Sequence, residues 1–467
     1  MDRLQVSEIV AAVGGRLLCG RPAAAVTSVG INSRELAPGA LFVPIRGARV
    51  DAHDFIPAAI KSGAAAVFTQ EHVEAPADAA GAWIAVRDTA QALQDLAAWY
   101  RSRFSIPVIG VTGSVGKTTT KEMVAAALSG AKQVLKTEGN FNSQIGLPLT
   151  VFRLESRHEI AILEMGMSEI GEMGRLARIA RPNRAVVTNI GLSHIEQLKT
   201  QENIRAEKLH IIDCFPPEGA LFLNGDDPLL RAVRKSLPCR VTTYGTSADC
   251  DFRAADVESD GETTRFRLCC PEGEIGIELP VLGIHNVGNA LAAAAVALDV
   301  GVPLEKAREG LKNYHGVAMR QEIHRFGGVT VIDDSYNASP DSMKSGLGVL
   351  ASLPCAGRKL AVLGDMLELG DRSEEAHEAT GRAAAGSGVD VLVTVGERAR
   401  RIAAGAREAD AKLEIASFDG TREAAHFLTS RLQAGDALLV KGSRGMHMEE
   451  IVQALSKAFG DEKREQQ

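Results

Sequence analysis

The segment Gly113-Ser114-Val115-Gly116-Lys117-Thr118-Thr119 places two glycines, a lysine and three hydroxyls between an apolar run, IPVIGVT, and a helical run, TTKEMVAAALSG. Backbone N–H groups in such a loop, and at the start of the helix after it, can cradle phosphates. Lys117 would neutralise β- and γ-phosphate oxygens, and Thr118 would offer its hydroxyl to Mg²⁺. The spacing departs from the usual P-loop, because Val111 stands where its first glycine belongs and the glycine falls at Gly113. A turn glycine followed by a chance Lys-Thr is the plainer alternative, and the flanking strand and helix weigh against it.

Further groups gather at the ends of predicted strands. Glu164 ends the run IAIL, and His194 and Glu196 follow the next apolar run in NIGLSHIEQL. Open α/β sheets bind ligands at the carboxyl ends of their strands, so Glu164 and His194 could hold Mg²⁺ there. Each alone reads as a surface carboxylate or a satisfied histidine; together on one edge they favour a site. Lys208 shares a helical stripe with Ile204, Ile211, Ile212 and Phe215. Such a lysine snorkels, pairs with a carboxylate, or is neutral enough to take up CO₂ as a carbamate, an anion suited to Mg²⁺. Later, VIDDSYNASPDSM puts Asp333, Asp334 and Asn337 at a strand-to-helix junction, as LGDMLELG does Asp365. With VKGSRGMHME these make three polar junctions on one edge, which read together as a site.

Length and composition say which elements must position these groups. The chain has 467 residues, about three domains at roughly 150 each. Aromatics are only 4% of residues, so Ala, Val, Leu and Ile must fill the cores, as in sheets packed between helices. The fold expected is α/β. A formal charge of −7 without any Lys/Arg-rich run argues against nucleic acid or an anionic membrane surface as main partner. No apolar stretch is long enough to span a bilayer, and the start MDRLQVSEIV lacks an export pattern, so a cytoplasmic protein without membrane insertion is expected. Seven cysteines without CxxC spacing read as buried reduced thiols, in keeping with that compartment.

Three zones follow. Strands at Leu41–Ile45, Ala65–Thr69 and Trp83–Val86 and a helix over Thr89–Phe104 close a first domain, residues 1–104. Residues 105–317 begin with the glycine loop, continue through strands at Ile160–Leu163, Ala185–Asn189 and Ala220–Leu223, and add an alternating antiparallel stretch between Asp251 and Val281. Residues 318–467 alternate strands at Val329–Ile332, Lys359–Leu363, Val391–Val395 and Ala437–Val440 with helices, and finish in a charged tail, DEKREQQ. They form a second open sheet lacking GxGxxG.

TGSVGKTTTKE, EMGMSEIGE, NIGLSH, LNGDDP, GIHNVGNA, DDSYNASPDSM, LGDMLELG and KGSRGMHME, in this order, resemble the ATP-dependent Mur ligases of peptidoglycan synthesis over essentially the whole chain. Among these ligases, and against folylpolyglutamate synthases, the last four segments favour the member that adds D-alanyl-D-alanine. The resemblance implies a first domain for UDP-N-acetylmuramoyl-tripeptide, a central P-loop ATPase-type parallel sheet, and a C-terminal Rossmann-like sheet for the incoming dipeptide. It implies that Gly113 to Thr119, Asn286, Asn289, Arg320 and Asp334 serve ATP, and that Thr118, Glu164, His194 and carbamylated Lys208 serve Mg²⁺. Lys117, Lys208, His194 and Glu164 would be catalytic. Ser33, Arg34, Arg46, Asp51 and His53 would face the uridine nucleotide, Asn140 and Asn142 the substrate beside ATP, and Asn337 and Asp365 the dipeptide. Departures from the family's pattern are Asn32 for Asp, Ala52 for Gly, Ser143 for Asn and Met319 for Gly. A monomer is expected. The rival reading is a P-loop nucleotide switch or binding module that makes no bond.

Overall fold

The computed structural model describes residues 1–47, 49–77 and 79–460; the charged tail read at 461–467 lies outside the described residues. Three α/β sheets follow one another along the chain. The N-terminal sheet has five strands in the order Arg16–Cys19, Ala82–Ala85, Ala66–Thr69, Ala40–Phe42, Ser28–Gly30, all parallel except the first pair. The central sheet has nine strands, with the glycine-loop strand Val108–Thr112 between Arg184–Val187 and Ile160–Glu164. Its far edge is the antiparallel set Phe252–Ser259, Thr264–Cys270 and Gly273–Leu279, where Phe266 and Leu268 point inward and Arg265 outward as the alternation demands. The C-terminal sheet orders its six strands Glu322–Phe326, Val329–Asp334, Ala437–Lys441, Lys359–Gly364, Val391–Val395, Glu414–Phe418, parallel but for the first.

The core of the central unit is built from small residues. Ala290 to Ala297, on the helix Ile284–Asp299, are at most 1% exposed against the sheet and the glycine-loop helix Lys117–Ser129. Alanine gives that helix high propensity and lets neighbours approach closely.

The central unit meets its neighbours differently. Helix Thr89–Ser102 of the N-terminal unit lies on it with Tyr100 fully buried, the hydroxyl donating to Leu154 O at 2.6 Å and accepting from Asp2 N at 2.8 Å. Arg101 is buried beside it and donates Nε to Ala180 O at 3.0 Å; burial lowers its pKa to about 10. The C-terminal unit is reached through Val317–Gln321, where Met319 and Gln321 hold φ of 60° and 55°. Non-glycine residues take this left-handed conformation at a cost of about 1–2 kcal/mol. Polar ties cross this joint, among them His285 Nε2 with Gln321 Oε1 at 2.8 Å and Arg325 with Glu262 at 2.7 Å.

Several expectations are corrected. All seven cysteines are free but half-buried rather than buried. The strand expected to run to Asn189 ends at Val187, and the stripe through Lys208 is shared between a helix ending at Leu209 and a 3₁₀ turn, His210–Ile212. Edge strands Glu322–Phe326 and Glu414–Phe418, outside the sequence reading, carry exposed and half-buried residues and so lack a strong apolar signature.

Candidate active site

A cleft of about 1220 Å³ opens between the central and C-terminal sheets, lined from one side by Ser114 to Thr119, Glu164 and His194 and from the other by Arg320, Asp334 and Asn337. The glycine loop sits at the carboxyl end of Val108–Thr112. Gly113 has φ 146°, and a Cβ there would meet Thr188 Oγ1 at 1.8 Å, so only glycine lets the loop lie against the neighbouring strand. Ser114 N (3.1 Å) and Val115 N (2.8 Å) donate to Asn189 Oδ1, and Ser114 N also donates to Asn189 O. The Ser114 and Val115 amides are thus engaged within the protein, which leaves the amides from Gly116 to Thr119, at the helix N-terminus, as the ones open to a phosphate. Asn189 carried no sequence signal beyond its place after a strand.

Lys117 is not the exposed loop lysine its position suggests. Its Nζ turns back to Gly113 O at 2.8 Å, and burial lowers its pKa. Lys208, 1% exposed, donates to the same carbonyl at 3.0 Å. Burial, and then the nearby Lys117, push the Lys208 pKa well below its usual value. Snorkelling is therefore excluded for Lys208.

Glu164 is 2% exposed, and its Oε1 accepts from Asn142 Nδ2 at 2.7 Å. Its Oε2 is buried without a hydrogen-bond partner, the nearest cation being Lys121 Nζ at 4.0 Å. A buried carboxylate oxygen left open on a cleft wall that Thr118 and His194 also line has donor chemistry suited to Mg²⁺. His194 takes φ 63° ahead of the helix Ile195–Leu198, and its Nδ1 is 2.9 Å from Glu368 Oε2 of the C-terminal unit. Burial, then Lys117, lower its pKa, which favours the neutral ring that a metal requires.

Asn286 and Asn289 also line the cleft, tied to one another at 3.1 Å, with Asn289 Oδ1 accepting from Thr120 Oγ1 at 2.9 Å. Asn140 and Asn142 share the wall. Across the cleft the Arg320 guanidinium lies 4.2 Å from the Tyr336 ring centre, and Asp334 pairs with Lys441 at 2.7 Å. Lys121, Tyr336 and Lys441 were missed by sequence reasoning. Lys121 could have been found by the signal that exposed Lys208, a lysine on an apolar helix face, here with Val124 and Leu128.

Eight expected site residues do not line the cleft, among them Gly113 and Lys208, whose Nζ reaches the Gly113 carbonyl. Asp365 is buried and its Oδ1 accepts from Ala399 N at 2.7 Å, so the carboxylate braces a turn and does not reach the cleft. Arg46, Asp51 and His53 cluster on the N-terminal unit: Arg46 bridges Asp51 (2.7 Å) and Glu71 (2.6 Å), and His53 Nδ1 lies 2.6 Å from Asp51. Hydrogen bonds from His53 hold the Asp51 carboxyl below its usual range. Ser33 and Arg34 occupy the loop leaving Ser28–Gly30, where Asn32 Oδ1 accepts from Arg34 N at 3.2 Å, so the Asn-for-Asp departure keeps the acceptor.

The chain matches three family models: the Mur ligase family catalytic domain over residues 25–101, the Mur ligase middle domain over 111–297, and the Mur ligase glutamate ligase domain over 319–444. It is 41% identical to the UDP-N-acetylmuramoyl-tripeptide--D-alanyl-D-alanine ligase of Bacillus subtilis, covering 92% of this chain and 93% of that one. Its structure superposes on MurF from Acinetobacter baumannii with a TM-score of 0.90 at 30% identity, covering 98% and 99% of the two chains. MurF ligase from Thermotoga maritima, solved in complex with ADP, gives 0.82 at 29% identity, covering 93% and 98%. With its glycine loop, open carboxylate and facing C-terminal wall in one cleft, and with relatives matched along nearly its full length, the chain belongs to the Mur ligase family.

Proposed function

We propose that this chain is the ATP-dependent ligase that joins D-alanyl-D-alanine to UDP-N-acetylmuramoyl-tripeptide in peptidoglycan precursor synthesis. The observation that carries the reading is the single cleft in which a phosphate-binding loop and the polar strand ends of a second sheet face one another. Residues 1–104 take the UDP-sugar peptide, 105–317 the ATP, and 318–467 the dipeptide; the enzyme acts as a cytoplasmic monomer.

A carboxylate is a poor electrophile, so the tripeptide carboxylate first attacks the γ-phosphorus of ATP, releasing ADP and forming an acyl phosphate. Lys117 swings from the Gly113 carbonyl onto the transferring phosphoryl oxygens, and the amides from Gly116 to Thr119 hold the β-phosphate. The dipeptide amine then attacks the acyl carbon, phosphate leaves, and the amine proton passes to a base or to solvent. Glu164, His194 and the Thr118 hydroxyl hold Mg²⁺. When bound, the ion neutralises charge on the phosphates. Lys208, whose ammonium form its burial disfavours, adds CO₂ through its neutral amine with loss of a proton, and the carbamate places a negative charge beside Lys117. Because acyl phosphates hydrolyse, the two walls must close to exclude water.

A nucleotide switch remains the reading to beat. Phosphate release is measured with ATP, UDP-tripeptides carrying meso-diaminopimelate or L-lysine, and D-alanyl-D-alanine. The ligase reading expects release only when acid and amine are both present; release with nucleotide alone at the same rate overturns it.

A further inference from the structure

The segment Lys441-Gly442-Ser443-Arg444 belongs to a strand-end motif to which the reaction above gives no part. Its side chains stitch together the polar junctions of the C-terminal sheet. Lys441 is 2% exposed and lines the cleft. Its Nζ reaches Asp334 Oδ2 at 2.7 Å, Asn337 O at 2.9 Å and Asp334 O at 3.4 Å, so all three ammonium hydrogens have acceptors. Ser443 Oγ accepts from Leu367 N at 2.9 Å, and its own N–H donates to Asp365 O at 3.0 Å. Arg444 lies 5.8 Å from the Tyr336 ring centre, on which Arg320 also stacks.

We infer that Lys441 is a positioning residue that fixes Asp334, on the nucleotide side, and the Asn337 turn, on the side of the incoming amine, as one arrangement. The inference rests on the functional reading above. A buried ammonium needs complete compensation, and here that compensation comes from both sides at once. Occupying either side therefore presets the other. A lysine that merely neutralised a buried aspartate would need neither the Asn337 carbonyl nor a place on the cleft wall.

The test is steady-state kinetics of Lys441→Gln, which keeps an N–H donor but no charge, and of Lys441→Met, with melting followed in parallel. Both are expected to raise the KM for ATP and for D-alanyl-D-alanine together, about tenfold, while kcat falls less than threefold. A lowered melting temperature with both KM values unchanged marks Lys441 as structural only and overturns the inference, as does a change confined to one substrate. Should the variants fail to fold, hydrogen exchange on the wild-type protein asks the same question. ADP with Mg²⁺ alone should slow exchange at Asn337 and Ala338, and protection confined to the glycine loop overturns coupling. If the functional reading itself were wrong, wild-type protein would show no amine-dependent phosphate release, an outcome separate from any of these.

Discussion

Lysines largely withdrawn from solvent stand at or just behind both walls of the cleft, and they are compensated in opposite ways. On the central wall Lys117 and Lys208 share one carbonyl, that of Gly113, and among the described residues neither forms an ion pair. On the C-terminal wall Lys441 is matched by the Asp334 carboxylate and two carbonyls. A buried cation without a counter-charge is costly, and the cost appears as a lowered pKa. On the proposed function, the central wall would thus gain its counter-charge from arriving phosphates and from a carbamate formed on Lys208, whereas the C-terminal wall carries its own.

The sharpest way to break this contrast is Lys117→Ala. Turnover should fall by roughly 10³-fold or more, about 4 kcal/mol of transition-state stabilisation, while the melting temperature holds, because the lysine supports charge rather than packing. Retained turnover would place the anion site elsewhere. Lys208→Ala comes next, with a loss of roughly 10²-fold or more, partly restored by high concentrations of a small carboxylate such as acetate. Acetate should do nothing for Lys441→Gln. Near-normal activity of Lys208→Ala, or equal rescue of both variants, would erase the difference between the walls.

A titration sharpens the contrast without kinetics. The Lys208 pKa is lowered in the folded chain, so above that value the unfolded chain binds more protons than the folded one, up to the ordinary 10.5. Stability then rises with pH across that window. Relative to Lys208→Met, wild-type unfolding free energy should climb as pH increases toward 10.5 and level off beyond it. A parallel pair of curves would mean that Lys208 is charged in the folded state. The smallest effect belongs to Met319→Gly, which relieves a left-handed φ of 60° at the entry to the C-terminal unit. Chemical denaturation should show a gain of about 1 kcal/mol with catalytic constants for saturating substrates unchanged.

Much of this was legible in the residues. The glycine loop, Glu164, His194, Asp334 and Asn337 announce themselves through residue type at predicted strand ends, and parallel strands deliver such ends to one edge. The Gly-to-Met departure at position 319 was visible, although its left-handed backbone was not. What the sequence hides is the far partner. Nothing local says that Asn189 takes the amides of Ser114 and Val115, or that Asp365 turns to Ala399 instead of the cleft. Lys441 escaped because a lone lysine reads as solvated until the chain brings Asp334 to it, whereas Lys121 did carry the apolar-face signal. The edge strands Glu322–Phe326 and Glu414–Phe418 escaped because half-exposed strands alternate only weakly.

The helix Thr89–Ser102 carries a further consequence. With Tyr100 and Arg101 sunk into the central unit and hydrogen-bonded to its backbone, the N-terminal unit has no free axis about which to swing. If the cleft closes as the proposed reaction requires, the short crossing at Val317–Gln321 is where the chain would bend. On the proposed function, the UDP-sugar peptide would stay fixed relative to the nucleotide, and only the wall assigned to the dipeptide would have to travel.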